Sequence, residues 1–350
     1  MHKGKIKAKM INCGVQCTIC DYPIHLDTYK GCEHGCIYCF ANEGKPKSKA
    51  IPINSVKTTK EFIGGKRTRE TSWCDWDIPL HWGANSDPFQ ACEREYGVSL
   101  ELLQLFKDTQ YPFIVSTKNP VLLTEEPYLS LISECNCVLQ VSAVCDRYDK
   151  LEPYAPKYQE RLKAISVLSP KVQRIIIRVQ PLFVDCFDDI MKEIPNYAKA
   201  GAYGVIAEGF ATRHKYKGMI RLASKYVFPT DILAEQHRAI KEKCHENNLK
   251  YFCGEDRLRF LGDSLTCCGT MGLDTFKPTK FNTIHLAYDD IDITPTDAMQ
   301  QSKTFRPFRS VNQSQAWWLY IKEKNFAELM YEFDKDSNEY YKQMKREWAD

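Results

Sequence analysis

No run of apolar residues in this 350-residue chain approaches the ~20 that are needed to cross a bilayer. The basic start, residues 1–10, is not followed by an apolar stretch, so no signal peptide is predicted. The formal net charge of +3 is too small to indicate a nucleic-acid binder by itself. With 43% hydrophobic and 12% aromatic residues, the chain can bury a sizeable core, which excludes disorder. We therefore expect a globular cytoplasmic protein that does not enter a membrane.

Cysteine, in contrast, is abundant. The chain has 16 cysteines, and in a protein without a secretion signal this number favours a reducing compartment and metal binding over disulfides. Six of them lie between residues 13 and 39, and most of the others are scattered, as small buried apolar residues would be. The clustered six need a separate explanation.

The sequence Cys32-Glu-His-Gly-Cys36-Ile-Tyr-Cys39 has the spacing C-x3-C-x2-C. Random placement of the cysteines predicts roughly 0.03 such patterns in the chain, and the chain has two. Three thiolates in a short loop can hold three irons of a [4Fe–4S] cluster and leave the fourth open to a small molecule. A structural zinc site would instead require four protein ligands.

After these cysteines, short apolar runs alternate with helical patterns, which indicates βαβ units and a parallel sheet. The predicted strands are His25–Tyr29, Ile78–Gly83, Phe113–Thr117, Val138–Ala143, Arg174–Gln180 and Tyr203–Glu208. The predicted helices are Val98–Thr109, Val121–Ser133, Tyr158–Leu168, Phe187–Ala200 and Asp231–Asn247. About six units fit before residue 260, which is fewer than the eight of a complete barrel.

The loop Cys32-x-His-Gly-Cys36-x-Tyr-Cys39-Phe-Ala41 resembles that of radical S-adenosylmethionine (SAM) enzymes related to spore photoproduct lyase, the DNA repair photolyase-like group. The resemblance covers roughly residues 26–210. It extends to the segments Trp82–Phe89, Ser116–Pro120, Leu151–Pro156 and Arg178–Leu182. It implies a partial (β/α)6 barrel of the TIM type, with the cluster loop after the first strand. It also implies reductive cleavage of S-adenosylmethionine to a 5′-deoxyadenosyl radical, which abstracts hydrogen from a substrate.

The resemblance further implies residues that contact the cofactor at the ends of the barrel strands. They are Phe40, Ser86, Asp87, Lys118, Ser142, Arg178 and Gln180, with Lys118 paired to the cofactor carboxylate and Ser142 at its ribose. An alternative for Lys118 and Arg178 is a structural ion pair. An alternative for Ser86 and Asp87 is a turn with a helix cap.

One residue departs from the family pattern. In spore photoproduct lyase a cysteine on the second strand returns hydrogen to the product radical, and the matching position here is Ala84. We therefore expect no efficient repair of spore photoproduct, and no catalytic residue is assigned.

Cys13-Gly-Val-Gln-Cys17-Thr-Ile-Cys20 repeats the cysteine spacing without the rest of the signature. We expect an auxiliary metal site here, with a missing ligand from Cys253, Cys267 or Cys268. The metal is a second [4Fe–4S] cluster or a zinc ion, and unligated thiols are the remaining alternative.

Three segments are predicted: a cysteine-rich segment (1–24), the barrel (25–260) and a C-terminal extension packed on it (261–350). A basic stretch at 45–70 and Lys303–Arg309, followed by Trp317 and Trp318, favour a DNA or RNA substrate. Solvated loops and a packed aromatic anchor are the alternative. The expected electron donor is a flavodoxin or ferredoxin. Alternative functions are a non-catalytic metal-stapled nucleic-acid-binding protein, or a radical SAM enzyme acting on a small molecule or peptide.

Overall fold

The computed structural model describes residues 11–13, 20–42, 49–222, 225–289, 293 and 295–306. The strands are β1 (Ile11–Cys13), β2 (Ile24–Leu26), β3 (Tyr29–Lys30), β4 (Ile51–Pro52), β5 (Leu80–Trp82), β6 (Phe113–Thr117), β7 (Cys137–Val141), β8 (Arg174–Leu182), β9 (Gly204–Gly209), β10 (Ala211–Thr212), β11 (Ile220–Leu222), β12 (Lys225–Val227) and β13 (Lys250–Cys253). The helices are α1 (Ser55–Ile63), α2 (Glu93–Tyr96), α3 (Val98–Thr109), α4 (Tyr128–Ser133), α5 (Tyr158–Leu168), α6 (Phe187–Lys199), α7 (Thr230–Glu246), α8 (Thr283–Tyr288) and α9 (Pro295–Gln300).

The main sheet has the strand order β1-β2-β5-β6-β7-β8-β9-β13. All its neighbours are parallel except β1 and β2. Because neighbouring parallel strands follow one another along the chain, each connection crosses over one face of the sheet, as in a partial TIM-type barrel. The predicted fold class is confirmed, with β13 as a seventh parallel strand.

The strands β5, β6 and β7 are buried on both faces, as the apolar sequence pattern predicts. Trp82 packs on Phe106 of α3 and on Phe113, so this face meets the helices. Neighbouring side chains point the other way because side chains alternate along a strand. His81, Ser116 and Arg178 are joined by hydrogen bonds on that opposite face, which lines the barrel interior.

Two predicted elements are interrupted. The strand predicted over His25–Tyr29 ends at Leu26, and Tyr29–Lys30 pairs instead with β4. The helix predicted over Val121–Ser133 is a 3-10 turn at Leu122–Thr124 followed by α4. Pro127 separates the two because it lacks a backbone N–H and disfavours helical geometry in the residue before it.

The remaining strands form two smaller sheets. One is the β3–β4 pair, and the other, which we call the basic sheet, is formed by β10, β12 and β11 between residues 211 and 227. Because β9 ends at Gly209, the basic sheet lies at the carboxyl end of the barrel strands. In the part of the chain that the structure describes, no helix is long and apolar enough to span a membrane.

Candidate radical SAM site

The loop from residue 31 to residue 40, called here the cluster loop, carries Cys32, Cys36 and Cys39. It follows the first barrel strand and is tied to the barrel by backbone bonds from Ile37 N to Leu151 O (3.0 Å) and from Tyr154 N to His34 O (3.2 Å). Burial is the main reason that the pKa of Cys32 is raised to about 11 and that of Cys36 to about 12. Within the described ranges, no three potential ligands are gathered closely enough to hold a metal ion. The donor set, three thiols in one loop, nevertheless fits an iron–sulfur cluster.

Asp87 joins the cluster loop to the ends of β5 and β6. Its carboxylate accepts hydrogen bonds from Lys118 N (2.6 Å) and Thr117 Oγ1 (2.8 Å), and it lies 3.0 Å from His34 Nε2. Burial alone would raise the pKa of Asp87, but His34 and the backbone donors hold it below its usual value. Ser86 Oγ donates to Tyr29 O at 2.7 Å. Both residues therefore stabilise the turn after β5, which agrees with the turn interpretation and leaves a cofactor contact as a prediction.

Lys118 and Ser142 lie together at the ends of β6 and β7. Lys118 Nζ is 3.4 Å from Ser142 Oγ and 3.6 Å from Glu152 Oε1. Burial opposes the charged form of Lys118, but Glu152 and Cys36 keep its pKa above the usual value. The ion pair is therefore present in the structure. Because the Lys118 side chain keeps 17% exposure, it can also meet an anionic ligand.

The barrel interior contains a chain of polar side chains. Arg178 donates to Ser116 Oγ (2.6 Å) and to Gln180 Oε1 (2.5 Å), and Gln180 donates to Glu208 Oε2 (2.5 Å). No sequence motif assigns a role to Glu208, although this residue ends a predicted strand. Burial, together with Glu255, raises the pKa of Glu208 to about 8. A carboxyl group that is partly protonated near neutral pH therefore faces the interior.

Phe40 is not part of this interior. It begins a 3-10 turn at the end of the cluster loop, and 70% of its surface is exposed. A contact of Phe40 with the cofactor therefore stays a prediction.

Of the second set of cysteines, Cys20, Cys267 and Cys268 come from distant parts of the chain and interact electrostatically. Cys267 Sγ lies 3.8 Å from Cys268 Sγ, and Cys267 adds to the effect of burial in raising the pKa of Cys20. The Cys268 hydrogen bond lowers the pKa of Cys267 to about 7, and Arg259 acts in the same direction. Cys253 Sγ is instead 3.6 Å from His237 Nδ1 and 3.7 Å from Glu255 O. Cys17 and the Cys13 side chain lie outside the described residues. None of the 14 cysteines whose side chains are described forms a disulfide.

The segment after Cys20 fixes this second set in place. Tyr22 OH bonds to Thr270 Oγ1 (2.7 Å), and Asn282 Nδ2 donates to Asp21 Oδ1 (2.9 Å). Gln140 in the barrel interior donates to Cys268 O at 3.3 Å. The cysteine pair therefore lies against the barrel interior, on a segment that the N-terminal region holds.

Comparison with solved structures identifies the architecture. The structure of anSMEcpe with bound AdoMet (S-adenosylmethionine), a radical SAM enzyme, has a TM-score of 0.52 at 11% identity and covers 92% of this chain and 91% of its own. The chain has a radical SAM fold. A spore photoproduct lyase variant with bound AdoMet and a dinucleoside spore photoproduct has a TM-score of 0.48 at 13% identity, covering 66% of this chain and 76% of its own.

Sequence comparison finds similar proteins that match about half of this chain. Uncharacterised proteins of Mycobacterium bovis and Mycobacterium tuberculosis are 25% identical over 209 residues, which is 54% of this chain. The match spans 59% of the length of each relative. No protein-family model matches the chain.

Proposed function

We propose that the protein is a radical SAM enzyme in which Cys32, Cys36 and Cys39 hold a [4Fe–4S] cluster. Such a cluster supplies an electron that cleaves S-adenosylmethionine to methionine and a 5′-deoxyadenosyl radical. The observation that carries the proposal is the convergence of the cluster loop, Lys118 and Ser142 at the carboxyl ends of parallel strands in a barrel of this fold.

The chain's own residues have separable tasks in this proposal. The Lys118 ammonium binds the cofactor carboxylate, and Ser142 binds the ribose. Arg178 and Gln180 orient polar groups inside the barrel, while Asp87 keeps the loop against β6. A flavodoxin or ferredoxin supplies the electron.

The test is anaerobic reconstitution with iron and sulfide, followed by dithionite and S-adenosylmethionine. We expect slow formation of 5′-deoxyadenosine without substrate, and none from the Cys32, Cys36 and Cys39 triple alanine variant. A matched control replaces the buried Cys135, Cys145 and Cys186 with alanine and should retain the activity. Product from the first triple variant would show that the loop is assigned wrongly. A wild-type protein that forms none would favour the non-catalytic metal-stapled alternative.

The second cysteine set forms an auxiliary [4Fe–4S] cluster on Cys13, Cys17 and Cys20, with Cys267 as the fourth ligand. Cys267 is favoured because it lies close enough to Cys20 to raise the pKa of that thiol, whereas the Cys253 sulfur contacts His237 and the Glu255 carbonyl. Four cysteine thiolates suit a [4Fe–4S] cluster. The hydrogen bonds of Tyr22 to Thr270 and of Asn282 to Asp21 support the proposal, because they hold the residues after Cys20 against the segment that follows Cys267.

Metal content tests the auxiliary site. We expect about eight irons per chain in the reconstituted protein and about four after Cys13, Cys17 and Cys20 are changed to alanine. Cys267→Ala should lower the auxiliary iron, and Cys253→Ala should not. One zinc with about four irons would instead establish a closed structural site.

The substrate is a nucleic acid, and the basic sheet is the surface that supports this. Residues 209–230 contain five lysine and arginine residues and no aspartate or glutamate. Lys215, Lys217 and Lys225 are exposed, and Tyr216 is 55% exposed. Such a combination attracts phosphates and stacks on bases.

Aromatic rings connect the basic sheet to the cluster loop. Tyr216 contacts Phe210 (5.9 Å between ring centroids), Phe210 contacts Phe183 (4.8 Å), and Phe183 contacts Tyr38 (5.8 Å). A base displaced from its stack would meet these rings on its way to the barrel mouth.

The basic stretch at 45–70 is a weaker candidate because part of it is structural. Arg67 donates to Cys74 O and Phe62 O, both at 2.7 Å, and its guanidinium lies over the Phe62 ring. Lys45 and Lys47, as well as Arg309, Trp317 and Trp318 of the other predicted surface, lie outside the described residues.

Labelled single-stranded and duplex DNA and RNA oligonucleotides test the substrate class. We expect micromolar affinity at low salt that falls as salt rises. Changing Lys215, Lys217 and Lys225 to glutamate should weaken binding more than the same change at Lys57, Lys60 and Lys66, which are exposed on α1 and in the turn after it. Absence of salt-sensitive binding would point to a small molecule or peptide. Because Ala84 replaces the hydrogen-returning cysteine, spore photoproduct should not be repaired efficiently, and its clean conversion to thymines would contradict this.

A further inference from the structure

Glu152 is a buried carboxylate to which three separate elements connect. Only 1% of its side chain is exposed. It accepts a hydrogen bond from Tyr38 OH, lies 2.5 Å from Arg161 Nη1 and lies 3.6 Å from Lys118 Nζ. These cations and the Tyr38 hydroxyl lower the pKa of Glu152 although burial would raise it.

The first partner belongs to the cluster loop. Tyr38 lies between Cys36 and Cys39, and its ring packs edge-on against Tyr148 and Phe183. The backbone next to Glu152 reinforces this contact, since Leu151 O accepts from Ile37 N at 3.0 Å. Two adjacent residues, one by its backbone and one by its side chain, thus hold the part of the loop between two thiols.

The other two partners, Lys118 and Arg161 of α5, connect Glu152 to the ends of barrel strands. Arg161 donates through Nη1 to Ser142 O (2.7 Å) and through Nε to Pro156 O (2.6 Å). Lys118 follows β6 directly. The Glu152 carboxylate therefore connects the cluster loop to Lys118 directly and to Ser142 through Arg161.

We propose that Glu152 is a positioning residue that holds the cluster loop, through Tyr38, against the ends of β6 and β7. Its importance for the reaction rests on the proposed function, but the positioning itself is a property of the metal-free chain. Glu152 acts through Tyr38, Arg161 and Lys118 and contacts no reacting atom.

The test compares two tyrosine variants in the metal-free protein. Tyr38→Phe removes the hydroxyl bonded to Glu152 and leaves all charges in place. Tyr158→Phe is the matched control, because Tyr158 OH bonds to Glu193 (2.5 Å) between α5 and α6. Iodoacetamide labelling followed by mass spectrometry then reports how often each thiol is accessible.

Cys36 is the reporter and Cys135 is the internal reference. The two are 9% and 8% exposed, so neither thiol is labelled readily without local opening. Tyr38→Phe should speed labelling of Cys36 about tenfold, as expected for loss of a hydrogen bond to a charged group. Cys135 labelling should not change, and Tyr158→Phe should change neither rate.

A double-mutant cycle separates positioning from general destabilisation. Glu152→Gln should also speed labelling of Cys36, because a neutral amide oxygen accepts the Tyr38 bond more weakly than a carboxylate. Adding Tyr38→Phe to Glu152→Gln should therefore speed labelling less than Tyr38→Phe does in the wild-type protein. A purely structural role would lower the thermal midpoint and speed labelling of Cys135 as well. Equal Cys36 rates in the two tyrosine variants would overturn the positioning role, whatever the activity. If the labelling pattern holds but the reconstituted wild-type protein makes no 5′-deoxyadenosine, the positioning role stands and the proposed function fails.

Discussion

Gly269 determines how closely the Cys267–Cys268 pair approaches the barrel interior. Its φ angle is +78°, and a β-carbon added there would lie 2.5 Å from both Cδ1 and Cγ1 of Ile176 on β8. Its carbonyl also accepts a hydrogen bond from Arg174 Nη1 at 3.0 Å. Gly269→Ala should therefore push the cysteine segment away from the strand.

The magnitude follows from two separate costs. A left-handed conformation costs a residue with a β-carbon about 1–2 kcal/mol. Inserting a methyl group into a filled core costs about 1–3 kcal/mol more. The expected loss for Gly269→Ala is therefore about 2–5 kcal/mol. Gly272 is a matched control: its φ angle is +75° and no atom lies within 4 Å of an added β-carbon, so only the first cost applies.

Urea unfolding of the metal-free proteins measures both variants. Gly269→Ala should be less stable than Gly272→Ala by the packing cost, and Ile176→Val in the Gly269→Ala background should recover part of it, since valine lacks Cδ1. After reconstitution, Gly269→Ala should lose iron at the auxiliary site and retain iron at Cys32, Cys36 and Cys39. Equal stabilities of the two glycine variants would refute the reasoning, because the close approach to Ile176 is the feature that distinguishes them.

Three further predictions concern single side chains. The pKa of Glu208 in the folded protein lies above its ordinary value, so the folded state holds a proton that the unfolded state releases. The free energy of unfolding should therefore fall as the pH rises from about 5 to about 8. In urea unfolding at pH 5.5 and 8.5, Glu208→Gln should flatten this dependence. A variant that keeps the wild-type slope would exclude Glu208 as its source. Asp87→Asn should cost about 2–3 kcal/mol, because one amide oxygen cannot accept from both Lys118 N and Phe89 N; a loss below about 0.5 kcal/mol in the same assay would contradict this. Arg67→Glu should lower the free energy of unfolding by about 2–4 kcal/mol, because it removes two hydrogen bonds to backbone carbonyls. Lys66→Glu should lower it by about 1 kcal/mol or less, because the ion pair of Lys66 is exposed. Similar thermal midpoints of the two variants would show that Arg67 is not structural.

Much of the barrel is determined locally. Predicted bounds match β6, α3 and α5, because apolar periodicity and chain length suffice to distinguish a buried strand from an amphipathic helix. The cluster loop is also a local feature, since all three thiols lie within eight residues of chain. The interruption at Pro127 is visible in the sequence too, but the periodicity around it favours an unbroken helix.

The partners of the polar residues were decided by tertiary structure. The sequence places Lys118 and Asp87 at strand ends, but it does not reveal that Glu152 meets Lys118 or that His34 meets Asp87. Likewise, the spacing of Cys253, Cys267 and Cys268 does not reveal their neighbours, whereas the structure places Cys267 beside Cys268 and Cys253 beside His237. The physical reason is that side-chain periodicity records which face a residue occupies, while the identity of its neighbour depends on strands and loops brought together from distant positions when the barrel forms.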